Sequence, residues 1–252
     1  SRRSLIGKWK LNFLCKNIDF FVCPTEEIKT ELRQINVPVG KIKVIPNGVD
    51  THAFTPATAD EKNQLRAALH LNNYPKVIYT GRLEPGKEIG NLIQVWQKIG
   101  SQLPQTQLLV LGTGTLSAEL NQTARRLNLP APVLFLGRRD NVRDYLRASD
   151  IFILPSVGEG ISNALLEAMA CALAPFVSNV GGNNEIIQDG YNGLLFELTD
   201  LAAWQVKLTQ LIRDDSLRQK YGTAARQTVE KQYSLEKITS EYRQFYQTLI
   251  KD

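Results

Sequence analysis

Residues 159–187 read EGISNALLEAMACALAPFVSNVGGNNEII. The middle of this stretch, NALLEAMACALA, is apolar on nearly every side yet carries one carboxylate, Glu167. A helix that is apolar all round is buried, and a buried carboxylate without a partner costs several kcal/mol or more. The segment itself supplies no cation, so the hydroxyls of a ligand are one candidate partner and an arginine from elsewhere is the other. After this helix comes a short apolar run, PFVS, and then a Gly-Gly turn into another helical pattern. Short apolar runs of this kind recur along the chain, each followed by a helical pattern, with no internal sequence repeat.

Seven further apolar runs have the same character: DFFVC (19–23), KVI (43–45), KVIYT (76–80), QLLVL (107–111), VLFL (133–136), IFIL (151–154) and GLLF (193–196). They lack polar alternation, which suits parallel strands covered on both faces. Helical patterns lie near 88–100, 116–127, 141–147, 161–172 and 183–188, and beyond about 198 the chain is helical and polar. Strand–helix alternation predicts an α/β fold, a Rossmann-like doubly wound parallel sheet with a helical C-terminal tail. The segment 46–60, PNGVDTHAFTPATAD, has turn residues and no periodicity, and reads as a linker. It divides residues 1–45, too short to bury a core alone, from a body that starts at 61.

The 252 residues carry a net charge of +5. That mild basicity suits an anionic ligand and falls short of the dense clusters of a nucleic-acid binder. Cys15, Cys23 and Cys171 form no CxxC pair and are odd in number, so a reducing, cytoplasmic setting is expected. No apolar run approaches a membrane span. The opening SRRSLIGKWKLNFLCKN mixes basic and apolar residues, as a helix packed on the body would, or one in peripheral contact with an anionic membrane face.

In open α/β sheets ligands bind beyond the carboxyl ends of the strands. KVIYT is followed by GRLEPGK, a turn at Gly81 with two cations, Arg82 and Lys87, suited to phosphate or simply solvated. QLLVL is followed by Gly112 and Gly114, whose backbone N–H groups could approach a phosphate or a base, or merely turn the chain. VLFL leads into Gly137 and Arg138, and IFIL into a loop holding Glu159 and Gly160. Ser162 or Asn163 then caps the helix, whose free N–H groups and dipole favour an anion beside Ala164. PFVS leads to Gly181 and Gly182. Together these strand ends describe a site for a phosphorylated polyhydroxyl ligand.

The motifs GRLEPGK, EGISNALLEAMA and GGNNEII, in that order after IPNGVD, resemble the C-terminal, donor-nucleotide-binding half of retaining family-4 glycosyltransferases of GT-B architecture. The resemblance covers about residues 12–250 and includes a Glu-x7-Glu signature, here Glu159 and Glu167. It implies a hexosyltransferase that takes a UDP- or GDP-linked sugar as substrate, transfers it with retention to an acceptor glycan, lipid or other molecule, and needs no cofactor and no metal. Arg82 and Lys87 match the pair on the diphosphate, Glu159 the glutamate on the transferred sugar, and Glu167 the one on the ribose. Asn163 and Ala164 match the amides on the distal phosphate, the backbone near Arg138 the loop at the base, and Gly181 and Gly182 the glycines near the sugar. It further implies that 1–45 is a remnant of the acceptor half, that 61–232 is the donor domain, and that 233–252 is a helix crossing back to the missing half. Such a chain is expected either to act with a partner domain or subunit, or to bind sugar nucleotides without transferring anything. A nicotinamide oxidoreductase shares the sheet type, but Ser117 stands where GxGxxG needs its third glycine, and no acidic residue ends the next strand.

Overall fold

The computed structural model describes residues 18–250. The basic-apolar opening segment and Cys15 therefore lie outside the described residues. A short parallel pair, β1 (Phe21–Cys23) and β2 (Ile42–Val44), brackets helix α1 (Glu26–Gln34). The body then runs α2 (Ala59–Ala68), β3 (Lys76–Thr80), α3 (Ile89–Gly100), β4 (Gln107–Leu111), α4 (Ser117–Arg126), β5 (Val133–Gly137), α5 (Val142–Ala148), β6 (Ile151–Leu154), α6 (Asn163–Ala170), β7 (Ala174–Ser178), α7 (Asn183–Ile186) and β8 (Leu194–Phe196). Three helices close the chain: α8 (Leu201–Arg213), α9 (Asp215–Gln232) and α10 (Leu235–Ile250).

The body's sheet has six strands in the order β5-β4-β3-β6-β7-β8, and every neighbouring pair is parallel. The four central strands are buried along their whole length, which accounts for their unbroken Val, Ile, Leu and Phe runs. The strand order reverses between β3 and β6, and this opens a crevice at their carboxyl ends. Trp96 and Trp204 fill the helix–sheet layers with no exposed surface. Each still finds an acceptor, Ala131 O at 3.2 Å and Glu197 O at 2.6 Å, as a buried indole requires. Cys23, Val37 and Ile42 form a second, small core apart from the main one. Cys23 and Cys171 are buried free thiols, and burial pushes the Cys171 thiol up to about 12.

Two features differ from the sequence expectation. Helix α2 begins at Ala59, inside the segment expected to be a linker. Its only buried residue is Arg66, so it has no apolar stripe to betray it. A capping box between Thr58 and Glu61 starts it, and charge fastens it, with Arg66 Nη2 2.6 Å and Lys62 Nζ 3.0 Å from the Asp150 carboxylate. Helix α6 is shorter than the apolar run that encodes it. Ala172 takes a left-handed φ of 57°, its N–H bonds Met169 O, and the N–H of Leu173 bonds Ala168 O. This reciprocal C-cap stops the helix although the composition would continue it.

Replacing Asp150 by alanine strands the buried Arg66 guanidinium and removes an acceptor from the Lys76 amide, 2.7 Å away. The expected cost is about 3–5 kcal/mol, measured as a lowered urea midpoint.

Candidate functional site

Because the sheet is parallel, all six carboxyl ends lie along one edge. The loop after β3 carries Gly81, Arg82 and Lys87, and the loop after β6 carries Ser156, Glu159 and Gly160. These loops flank the crevice and are tied together by Val157 N–H donating to Gly86 O at 2.8 Å. Lys87 Nζ reaches across it to Glu159 Oε1, and both side chains are mostly buried. The same carboxylate oxygen accepts from Ser156 Oγ at 2.7 Å. Beneath it, Ser178 Oγ donates to Ser156 O at 2.6 Å, and Asn183 Nδ2 donates to Ser178 O at 3.0 Å. Ser156, Ser178 and Asn183 have no exposed surface, so Glu159 stands on a buried polar relay.

Ser162 caps α6, its hydroxyl accepting from Leu165 N–H. Among the described residues this leaves the N–H groups of Asn163 and Ala164 without a partner at the helix start. One turn further in, the Glu167 carboxylate is half-buried, and no described cation pairs with it. Burial alone raises it above the usual carboxylate range. The ion pair that was the alternative explanation for Glu167 is thus absent among the described residues. Arg82 is exposed and its guanidinium likewise has no described carboxylate; its carbonyl takes the Tyr79 hydroxyl at 2.8 Å.

A cavity of about 280 Å³ opens over the ends of β3, β4 and β5 and brings together Gly81, Arg82, Gly112 and Arg138, with Arg139 and Val142. Lys87 and Glu159 are not in its lining; they belong to the β3–β6 crevice. Gly160, Ser162 and Glu167 likewise fall outside it.

Of the two roles open to the glycines, ligand approach or a structural turn, four of their amides take the structural one. The N–H of Gly81 donates to Leu111 O, that of Gly112 to Gly137 O, that of Gly114 to Ser117 Oγ and that of Gly182 to Glu159 O, at 2.8–3.0 Å. These four amides are spent inside the protein and do not point at a ligand. A Cβ at Gly112 would fall 1.8 Å from Gly81 O, and one at Gly114 2.3 Å from Leu83 O. At Gly181 and Gly182 it would fall 2.3 Å from Glu159 O and 2.2 Å from Gly160 O. The glycines let neighbouring loops touch backbone to backbone, and so set the height of Arg82 and Glu159.

Residues 60–228 match the family described as "Glycosyl transferases group 1", and residues 1–53 match "Glycosyltransferase Family 4". This chain belongs to the group 1 glycosyl transferases. It is 32% identical over 84% of its length to the UDP-Gal:alpha-D-GlcNAc-diphosphoundecaprenol alpha-1,3-galactosyltransferase of Escherichia coli, covering 56% of that protein. It is 28% identical over 96% of its length to the N-acetyl-alpha-D-glucosaminyl L-malate synthase of Bacillus anthracis, covering 63% of it. Among solved structures, Anabaena Alr3699/HepE in complex with UDP and glucose superposes with a TM-score of 0.83 at 22% identity, over 91% of this chain and 63% of that one. That likeness shows the fold, the C-terminal half of a GT-B architecture. This glycosyl transferase chain thus spans roughly three fifths of the length of these relatives.

Several residues of this group 1 glycosyl transferase site escaped the sequence reading. Ser156, Ser178 and Asn183 look like ordinary loop and strand-end residues; only their burial reveals the relay. Asn47 comes from the Pro-Asn-Gly turn, where its signal was a turn, yet its Nδ2 donates to Ile161 O and to Asn163 Oδ1, both at 3.0 Å. It braces the start of α6 from the N-terminal side. Among the described residues no helix is long and apolar enough to cross a membrane.

The raised Glu167 carboxyl gives a pH dependence of definite sign. A carboxyl that holds its proton more tightly folded than unfolded favours folding at low pH, and that contribution is lost as pH rises from the ordinary value of 4.5 through the raised one. Glu167→Gln is therefore expected to raise the melting temperature at pH 7, with the gain shrinking toward pH 4, as followed by thermal denaturation across that range.

Proposed function

We propose that this chain is the donor-binding half of a glycosyltransferase. In this reading it holds a UDP- or GDP-linked sugar along the carboxyl edge of its sheet and transfers the sugar, with retention, to an acceptor bound by the other half. One observation carries the reading: at one sheet edge lie two amides at the start of α6, a guanidinium and a half-buried carboxylate, all without partners among the described residues. Amides and guanidinium suit the oxygens of a diphosphate. The carboxylate suits a pair of sugar hydroxyls.

Each group takes a role on that basis. The N–H groups of Asn163 and Ala164, with Arg82 and Lys87, would hold the diphosphate and take up the charge that develops on it as the sugar leaves. Lys87 is already drawn toward the crevice by Glu159, so its ammonium would lie between the carboxylate and the departing phosphate. Glu159, set by Ser156 and Lys87, would hold hydroxyls of the transferred sugar. Glu167 would accept both ribose hydroxyls. The cavity beside Arg138 would take the base, with Gly81 and Gly112 in its wall, while Gly114, Gly160, Ser162, Gly181 and Gly182 shape the surrounding loops. The E. coli relative's UDP-Gal name and the UDP and glucose of the HepE complex support a nucleotide sugar of this kind. The cations and amides assigned here already supply the positive charge, so we read the reaction as needing no metal; transfer should persist in excess EDTA.

A second reading has a specific basis. The chain covers 56–63% of these relatives, and in this reading it is a sugar-nucleotide-binding half that transfers nothing until its partner half is supplied. Calorimetry against UDP, GDP and ADP and their hexose conjugates tests binding, and product assays with and without the complementary half separate the two readings. Glu167→Ala should weaken nucleotide binding by roughly 1.5–3 kcal/mol, as for hydrogen bonds to a charged group. Unchanged affinity in the folded variant would remove the ribose role.

A further inference from the structure

The small N-terminal core and the large body meet beside the glutamate loop, at α7, through a contact that no site residue named so far explains. The α1 helix starts after Thr25, which is fully buried and caps it by accepting from Ile28 N–H at 3.1 Å. The next two amides of that helix, those of Glu26 and Glu27, are not satisfied within their own segment. Each donates to one oxygen of Glu185, at 3.1 Å and 3.1 Å, from 159 and 158 residues away in sequence. One side chain of the body thus completes the N-terminus of a helix in the other unit, with a negative charge where the helix dipole favours one.

Glu185 lies in α7, and α7 is joined to Glu159 by backbone. Its N-cap, Gly182, donates to Glu159 O at 2.8 Å, and the Tyr233 hydroxyl fixes it from behind by donating to Glu185 O at 3.2 Å. The start of α1 also presses directly on the Gly181–Gly182 turn that leads into α7. A Cβ on Gly182 would fall 3.1 Å from Thr25 Cγ2, and one on Gly181 would fall 3.0 Å from Glu27 Oε2. The Gly181–Gly182 turn therefore sits between the glutamate loop and the start of α1, and Glu185, on the helix that follows the turn, binds α1 to it.

We propose that Glu185 is a positioning residue: it latches the N-terminal unit onto the glutamate loop, so that Glu159 is held ready for the sugar only while that unit is docked. The proposal rests on the donor-binding reading above, in which Glu159 holds the sugar and Arg82, Lys87 and Glu167 hold the nucleotide. Glu185 touches none of these groups, so its loss should separate the two parts of the donor.

The test compares the unmodified chain with Glu185→Ala and Glu185→Gln. Amide hydrogen exchange of the peptide containing Glu26 and Glu27 should quicken about tenfold in the alanine variant and less in the glutamine variant, which keeps one acceptor oxygen. Calorimetry with UDP and UDP-glucose, or GDP and GDP-mannose if the unmodified chain prefers guanosine, should show the sugar nucleotide weakened about fivefold in Glu185→Ala. The bare diphosphate should change less than twofold. Unchanged exchange, or equal weakening of both ligands, overturns the latch while leaving the donor reading intact. An unmodified chain that binds none of the four ligands overturns the donor reading itself, and the positioning role with it.

Discussion

Backbone lies against backbone at the carboxyl edge of this sheet, and the arrangement of the site follows from that contact. At Gly112, Gly114, Gly181 and Gly182 a side chain would drive a carbon to between 1.8 and 2.3 Å from a carbonyl oxygen of the adjoining loop. No rotamer relieves such a clash, because the obstacle is main chain on both sides. The loops after β3 and β4 are therefore in register with each other, as are those after β6 and β7. Arg82 and Glu159 inherit their positions from these two stacked pairs. The amides that a glycine-rich turn seems to offer a ligand are consumed in making the stack, and the free donors are left at the start of α6.

Much of this was legible beforehand. The six body strands lie where the apolar runs place them, because a strand buried on both faces must be apolar throughout and four of these are. Five of the strand-end loops were equally readable, since a parallel sheet puts every carboxyl end on one edge. What could not be read was interaction across loops. Ser156, Ser178 and Asn183 are individually unremarkable residues whose burial depends on three different strands and turns coming together. Helix α2 was missed for a related reason: its anchor is a buried arginine on a distant aspartate, and hydrophobic periodicity has nothing to say about such a helix.

The site also holds its charges at a cost to the fold. Glu167 is kept half out of water with its pKa raised by burial alone, and Asn163 and Ala164 leave donors unused at a helix end. Elsewhere the same chain satisfies such groups: Asp200 and Asp214 cap α8 and α9, and Asp150 is matched by Arg66 and Lys62. Among the described residues, the helix-start amides and the Glu167 carboxylate at this edge keep hydrogen-bonding capacity that the fold does not use.

Among the described residues the polypeptide passes between the small core and the large body twice, once through residues 45–49 and once at Tyr233–Leu235, and the two passages are stitched side by side. Val49 N–H donates to Tyr233 O and Leu235 N–H to Val49 O, both at 2.9 Å, while the returning helix sets Phe245 edge-on against Phe20, with ring centres 5.5 Å apart. A single thread would let the two bodies swivel in any direction. Two stitched threads, with α1 held on Glu185 beside them, tie the small core to the body at more than one place, so that neither crossing alone carries the junction.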